Sequence, residues 1–290
     1  MIRCSLVLAA LIAFWMAGCK SGDRTHVATG EAMGTTYRIK TVQKADSAMP
    51  TIHAMLDRLD RELSTWRSDS WVAEFNAAPA GTTMIMPDAV LDLLERSREY
   101  QAETEGRFDP TIGALIRVWG FGAWKRDWAG EPTEQAVAAA REASGFGNLQ
   151  IEGGRITKLH DGLMLDFSAI AKGHAVDLMA AILRDAGCTD FIIEFGGDIL
   201  AHGNRPGGSG WTVGGPALDE PVSLHNEAMA TSGSEFNFRG GQSHVIDPNR
   251  GQPVPVGRPV FVVAPTCAKA DALATSMMVA EAEADGQLSK

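Results

Sequence analysis

Four short runs of this sequence carry side chains suited to chemistry at a phosphate. In Asp166-Phe-Ser-Ala-Ile-Ala-Lys172-Gly173 an apolar stretch ends in a carboxylate, and Ser168 stands where it can cap a helix. Free N–H groups at a helix start attract phosphate, and Lys172 in the first turn can neutralise a diphosphate. A plain cap and a solvated lysine fit the same residues. In Glu194-Phe-Gly-Gly-Asp198 two glycines at a strand end let a backbone approach a ligand, or form only a bulge. In His244-Val-Ile-Asp247-Pro248, strand alternation puts His244 and Ile246 on one side and Val245 and Asp247 on the other. Such a His can accept a hydroxyl proton or serve the structure. In Ala270-Asp271-Ala-Leu-Ala-Thr275, helical spacing brings Asp271 and Thr275 to one face. One carboxylate and one hydroxyl are hard ligands suited to Mg²⁺, or the polar edge of a buried helix.

These runs need elements to hold them. Ala32 to Val42 is rich in Thr, Tyr, Ile and Val and predicts a strand. Thr51–Leu63, with Ile52, Met55, Leu56, Leu59 and Leu63 at helical spacing, predicts a helix. Further helices are expected over 87–100, with Pro87 in the first turn, and over 131–143. Leu149–Ile151 and Ile156–Leu159 flank Gly153-Gly154 and predict a hairpin, and a strand is expected from Met164 to Phe167. A helix follows from about Ser168 to Ala186, then a strand at Phe191–Phe195, a surface loop at 203–210, a strand at Val260–Val263 and a last helix at 268–279. Helices fill the first half and strands come in succession in the second. That order predicts an α+β fold with mixed, largely antiparallel sheets and flanking helices, not a doubly wound parallel sheet.

The N-terminus reads as an export signal. Arg3 precedes an apolar run, Leu6 to Met16, and small residues lead to Cys19. The run is too short to span a hydrocarbon core of ~30 Å. Met16-Ala17-Gly18-Cys19 resembles the bacterial lipobox, with Met where Leu is usual. The expectation is a signal peptide over 1–18, a lipidated tether over 19–29 anchored through Cys19, and one domain over 30–290. The protein then works at the cell envelope, lipid-anchored and facing the periplasm or the outside. The formal net charge of −10 falls further with loss of Arg3 and leaves no basic stripe, which argues against nucleic acid as a partner. Cys188 and Cys267 remain in the mature chain and are read as two separate buried thiols, although export would allow them to pair.

Taken in order, Ala32–Tyr37, Ser64-Thr65-Trp66, Phe108-Asp109-Pro110, Asp166–Gly173, Glu194–Asp198, His244–Pro248 and Ala270–Thr275 resemble the ApbE-like flavin transferases, the FAD:protein FMN transferase family. The resemblance implies a barrel-like core with an FAD cleft between two lobes. It implies that Met33 and Trp66 contact the flavin, that Arg107, Phe108 and Asp109 contribute to the FAD site, and that Asp166, Lys172 and Ile246 bind FAD as well. Mg²⁺ is implied at Asp271, Thr275 and the Ala169 carbonyl, with His244 as base. The implied reaction moves FMN from FAD, as substrate, to a Thr or Ser hydroxyl of an acceptor flavoprotein, a membrane redox subunit or another exported flavoprotein, and releases AMP. Hydrolysis of FAD to FMN and AMP, or FAD binding without catalysis, are the alternatives. Trp66 stands where many members have Tyr, and Ala274 where some have an acid.

Overall fold

The computed structural model describes residues 25–126, 130–215, 218–234 and 238–286. The expected signal peptide and Cys19 lie outside the described residues.

The chain enters through a hairpin, β1 (His26–Ala32) and β2 (Thr35–Thr41). Met33 and Gly34 make its two-residue turn, both with positive φ, 47° and 77°. That is the turn conformation whose twist suits two adjacent strands. One strand was expected here, and none before it. In fact His26–Thr29, read as tether, pair with the far end of β2. Next come α1 (Met49–Leu63), α2 (Trp71–Ala77), β3 (Thr83–Ile85), α3 (Asp88–Glu103), α4 (Gly113–Val118) and α5 (Glu134–Ala143). Pro87 sits just before α3 rather than in its first turn, with extended backbone. The predicted hairpin is β4 (Leu149–Glu152) and β5 (Arg155–Lys158), turned by Gly153 and Gly154 at φ 55° and 73°.

After β5 two expectations fail. Met164–Phe167 is not a strand; Met164 makes a single parallel bridge to Ile112. The helix does not begin at Ser168. It is α6, Ala171–Asp185, preceded by Ile170 with no side-chain cap. The cause is Asp166, whose carboxylate accepts the Ser168 N–H at 2.8 Å and closes a local turn that competes with helix.

The second half runs β6 (Phe191–Phe195), β7 (Asp198–His202), β8 (Trp211–Val213), β9 (Val222–Leu224), β10 (Glu227–Ser232), β11 (Phe238–Arg239), β12 (Gln242–Asp247), β13 (Gln252–Pro255), β14 (Val260–Ala264) and α7 (Cys267–Ala284). Six strands form one sheet in the order β1-β2-β6-β7-β10-β14, every neighbour antiparallel. Smaller antiparallel groups are β3-β5-β4, β11-β12-β13 and β8-β9. The α+β, antiparallel expectation holds. Among the described residues no sheet closes into a barrel, since β1 and β14 are edges, so a barrel-like core is not what these strands build.

Alternation along the central strands sets the layers. Phe191, Ile193, Phe195 and Leu200 face a core completed by Ile52, Leu56 and Leu59 of α1, Ala175, Val176, Met179 and Leu183 of α6, and Ala268 and Ala272 of α7. Burying each large side chain of this set contributes about 1.5–3 kcal/mol. Ile192, Ile199 and Ala201 face the other way, under Trp211, Val213 and Leu224 of the β8-β9 pair. Cys188 and Cys267 are separate, free and buried. Among the described residues no helix is long and apolar enough to cross a membrane.

Candidate active site

The site is built where α6 crosses α7. A Cβ on Gly173 would lie 2.3 Å from the Cys267 carbonyl oxygen and 2.8 Å from the Ala268 Cα, so only glycine lets the two backbones meet. One turn further along α6, Asp177 accepts the N–H groups of Cys267 (2.8 Å) and Ala268 (3.0 Å) and ties down the start of α7. With the crossing fixed at two points, Lys172 and Asp271 are forced together.

Lys172 Nζ lies 3.3 and 3.2 Å from the two Asp271 carboxylate oxygens. Asp271 also accepts the Gly173 N–H at 3.2 Å. A third group, Asp198, enters from the start of β7, with Oδ2 3.1 Å from Lys172 Nζ. It follows the Gly196-Gly197 turn, whose positive φ angles are 58° and 97°. The Glu194 carboxylate accepts the Gly197 N–H at 3.0 Å and braces that turn. A Cβ on Gly196 would meet Thr35 Cγ2 at 2.8 Å and Lys172 Cδ at 3.3 Å, so the glycine keeps the lysine's path open.

The electrostatics follow from burial. The Asp198 and Asp271 side chains are 1% and 5% exposed, and Lys172 is 29% exposed. Burial alone would lower the proton affinity of Lys172, but Asp198 and then Asp271 overcome it and hold the ammonium charged. Burial pushes the Asp198 carboxyl well up, and the neighbouring Asp271 adds to this against the opposing pull of Lys172. Asp198 Oδ1 is buried and has no hydrogen-bond partner.

A second group of expected residues is anchored alongside. Asp166 is buried, and its N–H donates to the Pro110 carbonyl at 2.8 Å, which joins it to the Arg107–Asp109 segment. Burial raises its carboxyl despite the bond from Ser168. Asp109 accepts from Thr111 N (2.8 Å), Thr111 Oγ1 (2.6 Å) and Gln101 Nε2 (2.6 Å), and burial raises it too. Phe108 turns inward and meets Tyr100 edge-on at 6.4 Å. Arg107 donates to Glu283 at 2.7 Å. Glu283 also pairs with Arg250, which donates to Asp247 at 2.7 Å in the turn after β12.

On β12 the alternation is as expected. Val245 packs on Met278 and Val279 of α7, while Ile246 packs on Leu115, Phe121 and Met164. His244 is partly buried. Thr275, one turn after Asp271, is 3.2 Å from Ser232 Oγ on β10. Ala169 packs on the main core at the turn before α6. Met33 lies in the β1–β2 turn and packs on the same core. Trp66, between α1 and α2, is 70% exposed.

Lys172 and Asp271 are therefore in direct contact, and Asp166 is tied to the Arg107–Asp109 segment by its backbone bond to Pro110. Asp198 joins the first group although it was not among the expected site residues. Its signal was the Glu-Phe-Gly-Gly-Asp run, which gave a turn but not a direction for the carboxylate. Among the described residues no three His, Cys, Asp or Glu side chains converge as a metal site.

The family model described as ApbE family matches residues 33–290, and the chain belongs to that family. It is 34% identical to the FAD:protein FMN transferase of Vibrio cholerae serotype O1, over 94% of this chain and 86% of the relative. It is 33% identical to the FAD:protein FMN transferase of Klebsiella pneumoniae, over 91% and 83%. The apo Pseudomonas stutzeri flavinyl transferase ApbE superposes with a TM-score of 0.79 at 37% identity, covering 89% of this chain and 84% of that one.

Proposed function

We propose that this chain is an FAD:protein FMN transferase of the cell envelope. A Thr or Ser hydroxyl of an acceptor flavoprotein attacks the FMN-side phosphorus of FAD. The bond from that phosphorus to the bridging oxygen breaks, AMP leaves, and FMN stays on the acceptor through a phosphoester. The acceptor is an exported flavoprotein or a membrane redox subunit, and the enzyme is held to the membrane by lipid on Cys19.

The observation that carries this reading is the Lys172–Asp198–Asp271 cluster at the α6–α7 crossing. Phosphoryl transfer is mostly positioning and neutralisation of charge, and the cluster offers both. The donor set fits a hard cation: two carboxylates, the Thr275 hydroxyl, and a buried Asp198 oxygen that lacks a partner. Mg²⁺ would be held by Asp271, Thr275 and the Ala169 carbonyl, and when bound it supplies positive charge to the diphosphate. Lys172 adds a second positive charge there. His244 accepts the proton of the attacking hydroxyl. FAD lies in a cleft between two lobes, where the exposed Trp66 offers a stacking face to the flavin. The buried Asp166 braces the α6 start against the Arg107–Asp109 segment that borders the cofactor.

The test is AMP release from FAD with Mg²⁺, with and without a Thr-bearing acceptor domain, followed by the acceptor's mass. An acceptor gain equal to FMN with matching AMP is expected. AMP with no mass gain means hydrolysis of FAD, and no AMP with FAD retained means a binding protein. A His244→Ala variant with an unchanged transfer rate would sink the base assignment.

A further inference from the structure

We propose that Asp198 joins Asp271 and Thr275 in the divalent-cation site as a further ligand, and that the Lys172 ammonium sits between the two acids in its absence and gives way when the cation enters. The inference deepens the metal reading above and rests on it.

The geometry has three parts. One ammonium serves two acids: Lys172 Nζ is 3.1 Å from Asp198 and 3.2 Å from Asp271. The acids are nearly sealed, at 1% and 5% side-chain exposure, while the lysine at 29% has a way out to solvent. And Asp198 Oδ1, fully buried, receives no hydrogen bond. A carboxylate oxygen without a donor is costly in the interior, and a native protein tolerates one where a ligand completes it.

Charge makes the lysine and the cation rivals. With both acids ionised, as a bound cation would require, one ammonium leaves the pair at a net −1. Adding a divalent ion with Lys172 in place puts two cations side by side between two acids, and their repulsion opposes binding. Moving the ammonium outward removes the repulsion and leaves it beside the ion, where the substrate's diphosphate would meet both. Gly196 leaves that path clear, since any side chain there would press on Lys172 Cδ. The exchange moves charge only and makes or breaks no covalent bond.

The test uses metal alone, without FAD. Mn²⁺ is titrated into the chain and free Mn²⁺ is read by electron paramagnetic resonance. K172Q should bind Mn²⁺ at least about tenfold more tightly than the parent, a difference of about 1.4 kcal/mol. K172R, which keeps the charge, should bind like the parent. D198N should bind about tenfold more weakly, and K172Q/D198N should lose the gain of K172Q. A lysine with a purely structural role would not produce that order. Equal or weaker Mn²⁺ binding by K172Q, or a gain that survives in the double variant, overturns the proposal. D198N keeps the side-chain size and relieves a buried charge, so it stands as a separate test if K172Q does not fold: unchanged Mn²⁺ affinity in D198N also overturns it. Transfer of FMN is measured apart. A chain that shows the Mn²⁺ order but releases no AMP refutes the enzyme reading alone. A chain that transfers FMN with a flat Mn²⁺ order refutes this inference alone.

Discussion

Two charge networks lie on either side of α7, and they are built on opposite plans. At its start, Lys172 alone faces Asp198 and Asp271, nearly sealed from water, with one acid oxygen unmatched. At its end, Glu283 and Asp247 are met by Arg107 and Arg250, with the exposed Glu105 also on Arg107; Asp247 is as sealed as Asp198, while Glu283 and the two arginines are partly exposed. The second network has a cation for each of its main acids and reads as a clasp between the helix end, the Arg107–Asp109 segment and the turn after β12. The first is short of positive charge and of donors. Burial makes that shortage expensive, since an ion pair in the interior is held only while all its parts are present. A complete network fixes structure, and an incomplete one is poised for something to complete it.

The comparison is broken most severely by taking the one cation from the incomplete network. K172Q should lower stability by about 3–5 kcal/mol in denaturant titration, because it strands buried carboxylates. It should also cut FMN transfer by about 10²-fold or more, the scale seen when one preorganised positive partner of a reacting group is lost. Mn²⁺ should raise the melting temperature of K172Q more than that of the parent, because a ligand that binds only the folded state stabilises in proportion to its affinity. G173A comes next. Its methyl would press on the backbone of Cys267 and Ala268, which cannot move aside as a side-chain tip can. A loss of about 1–3 kcal/mol is expected from such overpacking, with transfer falling as α6 and α7 separate. A fully stable G173A would show that the crossing is looser than its geometry implies.

How much of this was legible in the sequence depended on range. The α1 helix could be read because Ile52, Met55, Leu56, Leu59 and Leu63 repeat at helical spacing, and all five are buried. The β4–β5 hairpin could be read because two glycines are what a tight turn needs. Asp271 and Thr275 were legible as one face because both sit on one helix. Asp198 was not legible as a partner of Lys172, since the contact exists only once Gly173 has let α6 and α7 meet. The α6 start was misplaced because Asp166 competes for the Ser168 N–H, a contest that a capping rule does not weigh. The short α2 was missed because its seven residues carry too little period; Trp71 stacked on Phe75 at 5.4 Å and the Ser70 hydroxyl accepting from Ala73 N hold it instead. The network at the end of α7 escaped for the same reason as Asp198: Glu283 looks like one more charge on an acidic tail until Arg107 and Arg250 are placed around it.

The smallest expected effect falls on that complete network and sharpens the contrast with Lys172. E283Q keeps the shape of the side chain and removes its charge, in a setting partly open to water, so it should cost no more than about 1 kcal/mol. FMN transfer should change far less than in K172Q. Its pH dependence has a defined sign. Hydrogen bonds from Arg107 and then Arg250 hold the Glu283 carboxyl below its ordinary value. A carboxyl lowered by folding contributes stability above its unfolded pKa, and the contribution fades as pH falls through the folded one. The gap between parent and E283Q should therefore be full at pH 7, shrink below about pH 4, and vanish once the parent's carboxyl is itself protonated. Urea titrations of the two proteins across that range measure it. A gap that stayed constant down to acid pH would mean that Glu283 acts through packing and not through charge, and the clasp would then lose its claim to be the matched counterpart of the Lys172 cluster.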